Sequence, residues 1–215
     1  MSQPPLIAVV DYGAGNLRSV AKALERSGLE PEVTGDPSAL RRADGVVLPG
    51  VGAFANAADS LRAKGLDGAL REAIAARVPY LGLCLGLQLL FEESDEHGRN
   101  PGLALLPGRV ERFPDRDGSG RPLRVPHIGW NTVRFAGDHP MLASLPREDC
   151  YYFVHSFRAV PLRSSDVVGR VDYGGEFAAA VAGDGVFAVQ FHPEKSQSAG
   201  RRLLDAYAAW VSSCR

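Results

Sequence analysis

Residues 78–91 read VPYLGLCLGLQLLF, an apolar run in which one thiol, Cys84, stands between two glycines, Gly82 and Gly86. The first part, VPYLGL (78–83), has the length and composition of a buried strand, and the residues from Leu85 to about Glu93 follow a helical pattern. The cysteine therefore falls at a strand-to-helix turn. A plain core strand needs neither a thiol nor backbone-permissive neighbours. A nucleophile elbow needs both, because its reactive residue holds a strained conformation that flanking residues without a Cβ relieve. The alternative is a free cysteine packed as a small hydrophobe; the paired glycines at the turn weigh against it. A helix starting at Leu85 would set unpaired N–H groups beneath the sulfur, favouring thiolate, and the Leu85 N–H could face an oxyanion.

Upstream, short β-branched runs alternate with helical patterns. LIAVVD (6–11), EPEVTG (30–35) and GVVLPG (45–50) read as strands. NLRSVAKALERSG (16–28) reads as a helix with Leu17, Val20, Ala21 and Leu24 on one face, Asn16 as N-cap and Gly28 as its stop. PSALRRA (37–43) is a short helix, and a helical pattern from Phe54 to Arg77 breaks near Gly65 and Gly68. This β-α-β-α-β-α-β order predicts right-handed crossovers and a parallel sheet covered on both faces. Downstream, a polar loop at 92–102 precedes strand candidates at 150–157, 165–175, 177–185 and 186–191, which read as antiparallel or mixed. A last helix spans 198–214, with Leu203, Leu204, Tyr207, Trp210 and Val211 at helical spacing. The expectation is a single α/β domain over 1–215, with an open, mixed, mostly parallel sheet and helices on both faces.

A nucleophile needs a base. VFAVQFHPEKS (186–196) delivers His192 at a strand end, stiffened by Pro193, and Glu194 points the same way if the segment is extended. A carboxylate there would fix the imidazole tautomer. The alternative is an ordinary turn. His155, in FVHSF, is a rival base without a nearby carboxylate, so a structural or substrate-shaping role suits it better. LPGVGAF (48–54) follows a strand with two glycines; it is either a plain turn or a second wall of an oxyanion hole. DYGAGNLR (11–18) resembles a dinucleotide loop but lacks the third glycine of that fingerprint.

The 215 residues are 45% hydrophobic and 23% charged, ordinary for a globular chain, and the net charge of −1 gives no footprint for nucleic acid or an anionic membrane. Three scattered cysteines make no disulfide framework or paired zinc site, and the five histidines lack metal-binding spacing, so neither metal nor cofactor is expected. MSQPPLIAVVDYG has no basic n-region, and no run approaches membrane-spanning length. A reduced, cytoplasmic setting is the expectation.

With PGVGAF, GLCLGLQLL and FHPEKS in this order, the chain resembles the class I (triad) glutamine amidotransferases. The resemblance implies a flavodoxin-like fold, a triad of Cys84, His192 and Glu194, an oxyanion flanked by Gly52 and Leu85, and glutamine contacts at Gln88, Ser156 and Phe157. VVDYGAGNLRSV, PHIGWN (126–131) and YFVHSF (152–157) are similar to the glutaminase subunits of imidazole glycerol phosphate synthases. That likeness implies a heterodimer with a (β/α)8-barrel cyclase, with Trp130 and Asn131 at the interface; by itself PHIGWN reads as a turn closed by a buried Trp. No synthase domain is evident in the chain. The triad alone would equally suit the glutaminase of an anthranilate, aminodeoxychorismate or pyridoxal phosphate synthase. A non-catalytic elbow-cysteine binding protein would be expected to lack the His-x-Glu.

Overall fold

Strand β1 (Leu6–Val10) is buried on both sides: Ile7 and Val9 join one apolar cluster, Ala8 and Val10 another. A strand whose alternate residues both find a core belongs to a sheet covered above and below. The computed structural model describes residues 3–215 and continues this arrangement through α1 (Leu17–Arg26), β2 (Glu30–Thr34), α2 (Pro37–Arg42), β3 (Gly45–Gly50), α3 (Phe54–Ala63), α4 (Leu66–Ala75) and β4 (Tyr80–Cys84). Then come α5 (Leu85–Gln88), β5 (Glu93–Ser94), β6 (Asn100–Pro101), β7 (Gly108–Arg112), β8 (His127–Phe135), β9 (Glu148–His155) and β10 (Phe157–Pro161). The chain closes with β11 (Val167–Asp172), β12 (Glu176–Gly183), β13 (Val186–Val189) and α6 (Gln197–Ser213).

Nine strands form one sheet in the order β2-β1-β3-β4-β13-β12-β11-β8-β9. The pairs from β2 to β13 are parallel, and those beyond β13 antiparallel, which is the mixed sheet the sequence predicts. Val20 and Leu24 of α1 and Leu203, Leu204 and Tyr207 of α6 pack into one face, with Ile7, Val47 and Leu81. Leu40, Phe54, Leu61 and Leu70 pack into the other, with Val46 and Leu48.

Several local expectations change. Asn16 holds the N-cap position of α1, but its side chain makes no capping hydrogen bond. The break in the 54–77 pattern falls at Gly65, whose φ is 68°, whereas Gly68 lies inside α4. Helix α5 is a single turn rather than a run to Glu93, so any dipole it directs at Cys84 is that of one turn. The polar loop 92–102 contributes β5 and β6 to a second sheet, β10-β7-β5-β6; strands of two residues carry no periodicity to read. PHIGWN is no turn. His127–Asn131 belong to the nine-residue strand β8, and Trp130 is exposed rather than buried.

Candidate active site

The parallel register sets Gly50 beside Cys84 and Leu83 beside Val189, so β3, β4 and β13 end on one edge. Chain segments leaving that carboxyl edge meet above it. Cys84 adopts φ 53° and ψ −104°, a conformation an L-residue holds only where its surroundings enforce it. Both flanking glycines are required by contact. A Cβ on Gly86 would lie 1.9 Å from the Leu48 carbonyl oxygen, and one on Gly82 would lie 2.7 Å from that of Gly86. The buried Tyr80 hydroxyl donates to the Gly86 carbonyl at 2.7 Å and holds the single helical turn in place. Cys84 borders a cavity of about 450 Å³ shared with Gly52, Leu85, Gln88, Ser156, Phe157 and His192. All the sequence-predicted catalytic, oxyanion and substrate positions except Glu194 line it, and Glu194 stands directly behind His192.

His192 Nδ1 lies 2.8 Å from Glu194 Oε1, and both side chains are 3% exposed. The route differs from the extended one expected: Pro193–Lys195 form a 3₁₀ turn that brings the carboxylate back to the ring. The segment is tied to β9, because the His192 N–H donates to the Tyr152 carbonyl at 3.0 Å. Ser196 Oγ donates to the His192 carbonyl at 2.6 Å and accepts the Tyr152 N–H at 3.0 Å. Burial alone would lower the imidazole pKa; the Cys84 sulfur and the Glu194 carboxylate outweigh it and raise the value to about 9. Nε2 has no hydrogen-bond partner of normal geometry among the described residues, which leaves it to the sulfur and to whatever enters the cavity. At neutral pH the ring therefore holds both protons.

His155 does not compete as a base. Its Nδ1 lies 2.8 Å from the Phe157 carbonyl oxygen and its Nε2 3.1 Å from His127 Nδ1. Burial lowers its pKa to about 3 and that of His127 to about 4, so both rings are neutral. A carbonyl only accepts, so His155 carries its proton on Nδ1 and takes one from His127 through Nε2.

Gln88 is 6% exposed, and its Nε2 donates both to the Phe157 carbonyl at 3.0 Å and to Gln190 Oε1 at 3.1 Å. Its oxygen has no donor among the described residues. Gly52 has φ 96°, open to glycine and strained for other residues, and sits at the mouth of the cavity beside exposed Val51. Tyr12 reaches this loop from beneath. Burial raises its hydroxyl pKa to about 12, and the nearby Val51 amide offsets part of that rise.

Trp130 is 48% exposed, packs edge-on against Tyr152 and shares its face of β8 with Ile128, which is 60% exposed. Asn131 lies on the opposite face. Its Nδ2 donates to the Asp172 carbonyl at 2.9 Å, so the expected pairing of Trp130 and Asn131 on one surface is not what strand alternation allows. Glu96 and Lys195 at the cavity rim, and Gln190 beneath Cys84, were not singled out from the sequence. Gln190 alone carried a signal, as a polar residue in the buried run VFAVQF.

Among the described residues no cluster of His, Cys, Asp or Glu could hold a metal, and no helix is long and apolar enough to cross a membrane. The sequence matches the family glutamine amidotransferase class-I over residues 8–207. The chain belongs to that family. Similar class-I amidotransferases include the imidazole glycerol phosphate synthase subunit HisH of Methylococcus capsulatus, 49% identical over 95% of this chain and 96% of that one. The protein of the same name from Salinibacter ruber is 47% identical over 95% and 94%. The fold is similar to that of PurLQS from Thermotoga maritima, with a TM-score of 0.75 and 21% identity over 97% of this chain and 99% of that one. A crystal structure of a glutamine amidotransferase superposes with a TM-score of 0.74 and 21% identity, covering 96% and 98%.

Proposed function

We propose that the chain is the glutaminase subunit of an imidazole glycerol phosphate synthase, releasing ammonia from glutamine for a (β/α)8-barrel cyclase partner. The ammonia would enter the synthesis of imidazole glycerol phosphate and aminoimidazole carboxamide ribotide, in histidine biosynthesis and in the cytoplasm. The observation that carries the reading is the meeting of Cys84 and His192 in one cavity, with Glu194 paired to the histidine from behind, in a chain 47–49% identical to synthase subunits along nearly its whole length.

The cavity chemistry supports an amide substrate. Cys84 Sγ attacks the side-chain carbonyl carbon of glutamine, and the C–O bond electrons move to oxygen. The Leu85 N–H is the donor available to that oxyanion, and the Val51–Gly52 loop would supply a second on turning toward the cavity. His192 gives its Nε2 proton to the departing nitrogen, the C–N bond breaks, and a γ-glutamyl thioester and ammonia result. Water then attacks the thioester carbonyl, with neutral His192 taking its proton, and the γ-carboxyl of glutamate leaves as the sulfur departs with its electron pair, restoring the thiolate beside the imidazolium. Glu194 orients the ring and stabilises its charged form throughout. Gln88 offers an acceptor oxygen and Ser156–Phe157 a wall, while Glu96 and Lys195 suit the ammonium and carboxylate of an amino acid.

The test is Cys84→Ala in the complex with the cyclase. Glutamine-dependent synthesis should vanish while synthesis from added ammonium persists; near wild-type use of glutamine would refute the assignment. Cys150→Ser and Cys214→Ser, at exposed free thiols, should leave turnover unchanged.

A further inference from the structure

Gln190 follows β13 directly and is 0% exposed, with its backbone N–H bonded to the Ala179 carbonyl at 2.8 Å. An amide removed from water this completely must find partners inside the protein. The direction of its side chain follows from the groups around it. The Phe157 carbonyl can only accept, so the Gln88 atom 3.0 Å away is nitrogen. That nitrogen lies 3.1 Å from a Gln190 atom, which must be oxygen. The Gln190 nitrogen then points the other way, to Cys84 Sγ at 3.6 Å. His155 Nδ1 also donates to the Phe157 carbonyl, at 2.8 Å, and fixes the start of the chain. No step in it can reverse without setting two donors or two acceptors against each other.

We propose that Gln190 is a further residue of the reaction centre, whose side-chain amide donates a hydrogen bond to the Cys84 sulfur and holds it, as thiolate, in the attacking position. The inference rests on the reading of Cys84 as nucleophile. A thiolate accepts such a bond better than a thiol or a thioester sulfur, so the bond favours the attacking state over the acylated one. His192 approaches the same sulfur with a positive charge, while Gln190 supplies a neutral donor fixed from beneath. Gln88 acts on the sulfur indirectly, by preventing Gln190 from turning over.

The experiment is the pH dependence of alkylation by iodoacetamide, followed separately at Cys84 and at exposed Cys150 by peptide mass, in the full-length wild type, Gln190→Leu and Gln190→Met. Loss of the donor should move the Cys84 profile toward alkaline pH by about one unit, roughly a tenfold lower rate near neutrality. The Cys150 profile should stay in place. In the complex, kcat for glutamine should fall by a similar factor with KM little changed. Gln88→Leu, which frees Gln190 to rotate, should give a smaller shift in the same direction. Gln190→Met retains length and volume, and serves if the Leu variant does not fold. A folded Gln190 variant with the wild-type Cys84 profile would overturn the proposal. If Cys84→Ala still used glutamine, the nucleophile reading would fall instead, so the two failures are distinguishable.

Discussion

The imidazole of His192 and the carboxylate of Glu194 are 2.8 Å apart and almost completely shielded from water, joined across a turn in which Pro193 is itself buried. Their roles separate on substitution. Glu194→Gln leaves an oxygen able to accept from Nδ1, so orientation survives while the charge that supports the imidazolium is lost. His192→Ala removes proton transfer altogether, for which a loss of about 10³–10⁴ in kcat is expected, against roughly 10–10² for Glu194→Gln. Steady-state glutaminase assays of the complex check this, and equal losses would remove Glu194 from its assigned role.

The buried histidines set opposite limits on stability against pH. His192 has its folded pKa raised from 6.5 to about 9, so its contribution is fully present below 6.5 and is lost as pH rises through about 9. His127 and His155 are held by burial at about 4 and about 3. Their contribution is present above 6.5 and is lost as pH falls toward those values, because the unfolded chain then binds protons the folded one refuses. Thermal melts across pH should show greatest stability near 6.5, and His192→Gln should flatten the alkaline limb only. An alkaline limb unchanged in that variant would show that His192 does not set it.

The parallel half of the sheet was legible because β1, β3 and β4, flanked by turn residues, are buried on both faces and the helices between them keep apolar faces. The elbow was legible for a related reason: a glycine two residues either side of Cys84 has no use in a simple strand. What escaped were features made by distant partners. Gln190 becomes informative only beside Gln88 and Cys84, and β5 and β6 exist only as pairings within a second sheet. PHIGWN was misread because His127 and Asn131 face inward while Ile128 and Trp130 face out; glycine within the segment suggested a turn, but Gly129, at φ 135°, lies inside the strand.

Trp130 and Ile128 form an exposed apolar pair with Tyr152 behind them, and Tyr152 holds the backbone of His192. Such a patch close to a reactive site fits a docked partner. Trp130→Ala should weaken cyclase binding by ~2 kcal/mol or more. Because Trp130 is half exposed, the melting temperature of the isolated chain should change little. Titration calorimetry and thermal melts separate the two; a large loss of stability with unaltered affinity would assign Trp130 a purely structural role.

The loop at Gly50–Gly52 supplies the last expectation, that the isolated chain is a poor glutaminase which its partner switches on. Gly50 is closely packed: a Cβ there would come 2.6 Å from Leu85 Cβ and 2.8 Å from the Tyr12 hydroxyl. The Val51 amide lies near that hydroxyl, while Gly52 at φ 96° gives the loop room to turn. Turning the Val51 N–H toward the cavity would add an oxyanion donor, and a missing donor of this kind costs ~10²–10³ in kcat. On the proposed function, docking of the cyclase, and binding of a nucleotide substrate to it, should favour that state. Glutamine hydrolysis should therefore rise in steps from chain, to complex, to complex with ligand. Equal kcat in all three states would sink the gate.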